Sequence, residues 1–308
     1  MAQDSDKEDR SLLVILLEAH QGLWSQLNPE TDANGTEEPR HLTLAGFLQQ
    51  VLVFINTFLS LSDANQVAVI GMTSTTSSVL YTSPSLLSSS PVANPVEVSS
   101  NPSHEVLANL TILLREEERQ TGDAAQPAAL SGGLSRGLCL INKAVSSARA
   151  GGKRSALPRV LCLQGSPDAT QQYIAVMNSI FAAQRSEVVI DACMLSGSES
   201  TFLQQATHLT GGIYLRPKLR GALLQYLLTI YCGFTFSRSH LELPQPLGVD
   251  FRASCFCHRR AIDMGFVCSV CLSIFCENVP ECSICGTCFS NAPRTPAAKR
   301  KVGSAFTD

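Results

Sequence analysis

Residues 157–195 read LPRVLCLQGSPDATQQYIAVMNSIFAAQRSEVVIDACML, and the order of patterns in this stretch decides the fold. Residues 159–163 and 188–195 are short runs dominated by Val, Leu, Ile and Cys, as expected of strands covered on both faces. Between them, residues 169–184 repeat apolar positions at helical spacing. A buried strand, a helix and another buried strand in so short a span make a parallel βαβ unit.

The alternation extends outward in both directions. Further strands are expected at 12–17, 66–72, 79–81 and 213–215, and further helices at 42–61, 103–118, 134–150, 200–209 and 218–231. The order predicts an α/β domain with a doubly wound, mainly parallel sheet over residues 1–236. The polar run 71–78 is short enough to turn the chain straight back, which makes 79–81 an antiparallel edge strand. Ser135 and Asp168 are candidate helix N-caps, and Gly151-Gly152 supplies the left-handed residues that end a helix. Loops are expected at 28–41, 82–103 and 116–133, and a Pro-containing linker at 237–254.

Composition narrows the function. Of the 308 residues, 44% are hydrophobic and only 16% charged, so the chain can bury a sizeable core. The net charge of −3 gives no overall positive field for nucleic acid or an anionic membrane. The first ten residues are polar and mostly acidic, the opposite of a secretory signal. Residues 42–61 are long enough to span a bilayer, but Gln49, Gln50, Asn56 and Thr57 favour an amphipathic core helix. There is no Gly-x4-Gly-Lys-Ser/Thr loop and no His-Glu-x2-His helix. Gly132-Gly133 has the look of a dinucleotide loop without its spacing or a preceding strand.

Eight of the twelve cysteines fall between Cys255 and Cys288, within residues 255–290. Cys268-x2-Cys271 and Cys282-x2-Cys285-Gly286 form two tight knuckles, and four thiolates so arranged suit tetrahedral zinc. With no open coordination position, such an ion stabilises a fold and performs no catalysis. Cys255, Cys257, Cys276, Cys288 and His258 could build a second site or pack as small hydrophobes. Cys139, Cys162, Cys193 and Cys232 are expected in the core. Residues 291–308 form a basic tail, where Lys299-Arg300-Lys301 suits a nuclear-import signal or a solvated end.

The order of elements resembles a von Willebrand factor A domain. That family holds Mg²⁺ at positions which here correspond to Glu18, His20, Gly22, Leu134 and Gln164. One carboxylate, an imidazole, a glycine, a leucine and an amide do not make six short oxygen bonds, so no Mg²⁺ is expected. Such a domain followed by a four-cysteine module, with Val249-Asp-Phe-Arg-Ala-Ser-Cys255-Phe-Cys-His-Arg-Arg260 and Gly265-Phe-Val-Cys-Ser-Val-Cys271, resembles the smaller von Willebrand A-like subunits of general transcription factor IIH.

The resemblance implies a nuclear, non-enzymatic core component serving RNA polymerase II initiation and nucleotide excision repair. It implies structural zinc, docking to other core subunits and chiefly to the sister von Willebrand A-like zinc-finger subunit, and neither sequence-specific DNA binding nor a membrane. Two other readings of the cysteines are a RING-like ubiquitin ligase with crossed zinc sites and a zinc-dependent DNA reader. The first has its histidine, His258, at the start of the cluster and none between it and Cys288, and the second has few basic residues.

Overall fold

Eight consecutive buried residues, Ser11–Glu18, make strand β1 the centre of the molecule. Their side chains alternate between two faces. Leu13, Ile15 and Leu17 enter one apolar cluster, while Leu12, Val14 and Leu16 enter another. A strand apolar on both sides must be covered on both sides, and the fold follows from that demand.

The computed structural model describes residues 11–27, 42–87, 101–120, 127–152, 156–234, 237–244, 249, 252–258 and 261–289. The loop expected at 28–41 and the tail at 291–308 lie outside them. The chain divides into two compact units, Met1–Asp250 and Phe251–Asp308.

In the first unit, β1 is followed by α1 (Gln21–Leu27), α2 (Leu44–Leu61), β2 (Gln66–Met72), β3 (Ser77–Thr82), α3 (Pro84–Leu87), α4 (Pro102–Gln120), α5 (Leu130–Ala150), β4 (Leu157–Gln164), α6 (Tyr173–Arg185), β5 (Val189–Met194), α7 (Thr201–Thr210), β6 (Tyr214–Leu215) and α8 (Leu223–Tyr226). Helix α8 continues as a π turn over Leu227–Tyr231. The sheet has six strands in the order β3-β2-β1-β4-β5-β6. All pairings are parallel except β2 with β3, which is antiparallel and at the edge as the short 71–78 turn requires. This is the doubly wound, von Willebrand A-like sheet.

Helices α2, α4 and α8 supply one covering layer, and α5, α6 and α7 the other. In α2, Phe47, Leu48, Val51, Phe54, Ile55 and Phe58 are buried, an i, i+1, i+4, i+7 stripe facing the sheet. The apolar helix at 42–61 is therefore a core helix, started by Thr43, whose hydroxyl accepts from the Gly46 N–H at 3.1 Å.

Helix α5 starts earlier than 134, and Ser135 does not cap it. The Ser131 N–H donates instead to Oε1 of Gln172 at 3.0 Å, a partner distant in sequence. Residues 116–120 and 130–133, expected as loop, are helical. Asp168 caps from a distance: its carboxylate accepts from the Ser200 hydroxyl and, at 3.0 Å, from the Phe202 N–H at the start of α7. The end of α5 falls at Gly151, and Gly152 adopts the left-handed φ of 63°.

Gly132-Gly133 is not a phosphate loop. A methyl group on Gly133 would fall inside contact distance of the Met72 side chain, and one on Gly137 would lie 3.2 Å from Val14. These glycines let α5 lie close on the sheet. Cys162, Cys193 and Cys232 are buried, whereas Cys139 is exposed on α5 and contributes no core packing. Burial raises the Cys193 thiol to about 12, which keeps it protonated and unreactive.

The second unit is built from two small hairpins. β7 (Ala253–Ser254) pairs with β8 (Ala261–Ile262), and β9 (Phe266–Val267) with β10 (Ile274–Phe275), both antiparallel.

Candidate metal centre and the strand-end positions

Each Cys-x2-Cys knuckle is a repeated piece of backbone. The Leu272 N–H donates to the Cys268 carbonyl at 2.9 Å, and the Gly286 N–H to the Cys282 carbonyl at 2.8 Å. The Cys268 N–H donates to Ser273 O, and the Cys282 N–H to Thr287 O. The residue after the second cysteine takes a left-handed φ in both, 60° at Leu272 and 72° at Gly286. Gly286 adopts this φ freely; Leu272 is strained there.

The two knuckles face one another. Cys268 Sγ lies 3.6 Å from Cys285 Sγ, and Cys271 Sγ 3.5 Å from Cys282 Sγ. All four sulfurs lie within 4.8 Å of one another. Zinc–sulfur bonds of about 2.3 Å in a tetrahedron set sulfurs roughly 3.8 Å apart, so the donor set fits a zinc-sized ion. The Ser273 hydroxyl and N–H lower the Cys271 thiol to about 6. The Thr287 hydroxyl and N–H lower Cys285. Burial raises Cys282 to about 11. Four negative sulfurs cannot gather without a cation, so the donor set calls for one.

A second group lies in the same module. Cys255, Cys257, His258 and Cys276 bring one donor atom each to within 4.8 Å of the others. Cys288 belongs to neither group and is exposed.

The module has little apolar interior. Cys268, Phe275 and Cys282 are its buried cluster, with Phe256, Cys271, Val279 and Phe289 packed against them. Burying one phenylalanine yields about 2–3 kcal/mol, whereas ordering each residue costs about 1–2 kcal/mol of backbone entropy. A bound ion would supply the difference. Meanwhile Met264, Phe266, Val267, Val270, Leu272 and Ile284 are each more than half exposed. Arg252, one of the few basic residues, faces Asp263 at 3.4 Å; Arg259 and Arg260 lie outside the described residues.

At the C-terminal ends of β1 and β4, the von Willebrand A metal positions carry different chemistry. Oε2 of the fully buried Glu18 accepts from the N–H groups of Gly165 and Ser166 at 2.7 and 2.9 Å. His20 Nδ1 accepts from the Leu23 N–H at 3.2 Å, so the ring proton sits on Nε2. Nε2 lies 3.0 Å from Glu18 Oε1, a polar contact of the neutral ring not aligned as a hydrogen bond. Gln164 Nε2 donates to Ser166 O, and Leu134 is fully buried in the core. Gly22 lies in α1, the helix anchored by His20, where its neighbour Trp24 stacks at 4.9 Å on Phe47.

One charged cluster had no signal in the sequence. Asp191 of β5 receives a two-pronged contact from Arg238, at 2.8 and 2.6 Å, and accepts the Ile213 N–H at 2.9 Å. Arg159 of β4 is almost completely buried, donates to the Gly233 carbonyl and lies over the Phe58 ring at 5.4 Å. Desolvation lowers Arg159 to about 10 against the attraction of Asp191. The cluster pins Gly233 and Arg238 to the sheet.

Comparison with known proteins places these features together. The family described as "Transcription factor Tfb4" matches residues 10–287. A relative from Arabidopsis thaliana, "General transcription and DNA repair factor IIH subunit TFB4", is 40% identical over 99% of both chains. The protein of that name from Saccharomyces cerevisiae is 32% identical over 96% of this chain and 89% of its own. Among solved structures, "Crystal Structure of the TFIIH p34 N-terminal Domain" matches with a TM-score of 0.58 and 28% identity, covering 72% of this chain and 98% of that one.

Proposed function

We propose, from the premise that this chain belongs to the transcription factor Tfb4 family, that it is a non-catalytic docking subunit of the nuclear transcription factor IIH core. It serves RNA polymerase II initiation and nucleotide excision repair. The alignment with the Arabidopsis subunit over 99% of both chains carries membership in the factor. Its partners are other subunits of that factor, and chief among them the sister von Willebrand A-like zinc-finger subunit.

The docking role is supported by surface chemistry. A module that leaves Met264, Phe266, Val267 and Val270 in water has an apolar face suited to a partner. The α/β domain, residues 1–236, offers its surfaces through the linker at 237–254, and two contacts on one chain reinforce each other. Zinc held by Cys268, Cys271, Cys282 and Cys285 keeps the module, residues 255–290, folded. The strand-end site works without Mg²⁺, because Oε2 of Glu18 already accepts from two backbone N–H groups and Leu134 offers no donor.

Co-expression with the sister subunit tests the proposal. Cys268→Ser/Cys271→Ser should lose zinc and capture, while Phe266→Ser/Val267→Ser should keep zinc and lose capture at least tenfold. Capture equal to the unaltered chain by both variants would remove the module from the interface.

A further inference from the structure

We propose that Cys255, Cys257, His258 and Cys276 form a second zinc site, interleaved along the chain with the four-cysteine site. Cys257 Sγ lies 3.3 Å from Cys276 Sγ, and His258 Nδ1 3.0 Å from the same sulfur. With Cys255, the four donor atoms lie within 4.8 Å of one another. Three thiolates and one imidazole complete a closed tetrahedral zinc shell.

Backbone structure brings these ligands together. Cys255, Cys257 and His258 occupy the turn between β7 and β8. Within that turn, the Phe256 N–H donates to the Ile274 carbonyl of β10 at 2.8 Å. Cys276 follows Phe275, the last residue of β10, so this bond clamps the turn beside it. Cysteine is among the most buried residue types, yet Cys257 is exposed and Cys276 only half-buried. Core packing does not explain surface sulfurs aimed at one another. A disulfide between those two would leave the convergence of Cys255 and His258 unexplained, and none is formed.

The order of ligands couples the sites. Cys268 and Cys271, around the β9–β10 turn, belong to the four-cysteine group, and Cys276, just beyond β10, to the second. Each ion therefore fixes one end of the same hairpin. Losing either should loosen the other, as in any crossed brace.

Zinc counting by native mass spectrometry, joined to zinc X-ray absorption on the full-length chain, tests the site. About two zinc ions per chain are expected, with an average shell of about 3.5 sulfurs and 0.5 nitrogen per ion. His258→Cys should keep both ions and give an all-sulfur shell, whereas His258→Ala should lower the count toward one. A single zinc with an all-sulfur shell, unchanged by His258→Ala, would overturn the proposal. A single zinc bound by three sulfurs and one nitrogen would support this site and remove the four-cysteine one.

Discussion

The sheet domain and the cysteine module are held together by different forces, and the contrast shows in what each buries. Strand β1 alone buries eight consecutive residues between two helical layers. In the module, the largest buried side chain among the described residues is Phe275, which shares its cluster with three cysteines, Phe256, Val279 and Phe289. The first region can fold by removing apolar surface from water; the second has little such surface to remove and carries two side-chain groups that could hold metal ions. The economy in core has a consequence at the surface: apolar side chains with no interior to enter remain available for a partner.

Changes confined to one region should leave the other untouched. The largest effect within the sheet domain is expected from Arg238→Ala, which leaves the buried Asp191 carboxylate without its two-pronged partner. Urea denaturation should show a loss of about 3–5 kcal/mol with zinc content unchanged. A loss below about 1 kcal/mol would mean that the cluster does not pin Arg238 to the sheet.

Gly133→Ala should cost about 1–3 kcal/mol, because the added methyl pushes Met72 and lifts α5 from β1 and β2. A neutral result by thermal melting would show that Met72 yields freely.

The smallest effect runs in the opposite direction and belongs to the module. Leu272→Gly should relieve the left-handed backbone at an exposed position, making the two knuckles alike. Zinc retention against a competing chelator should improve by about fivefold, equivalent to roughly 1 kcal/mol. Weaker retention would show that the exposed leucine side chain contributes more than its backbone costs.

The regions also differ in how much of them is legible in sequence. Strand β2 coincides with the run at 66–72, and the antiparallel edge strand follows from one short turn, because both depend on local pattern. Helix α1 gives no such signal: it is short, contains Gly22, and is anchored by the His20 ring and the Trp24–Phe47 contact. The start of α5 depends on Gln172, and Asp191 waits for Arg238, so both are fixed by partners far along the chain. In the module, Cys268, Cys271, Cys282 and Cys285 announce themselves by repeated spacing. The Cys255, Cys257, His258 and Cys276 group has an irregular spacing, and only the hairpin pairing brings it together.

Hydrogen exchange of the full-length chain, with and without a zinc chelator, tests the contrast most directly. Chelation should abolish protection of the Phe256, Cys268, Cys282 and Phe289 amides, all donors in the module's backbone bonds. Protection across β1, β2 and β4 should not change. Retained module protection after complete zinc removal, or loss of protection in β1 along with it, would contradict the account.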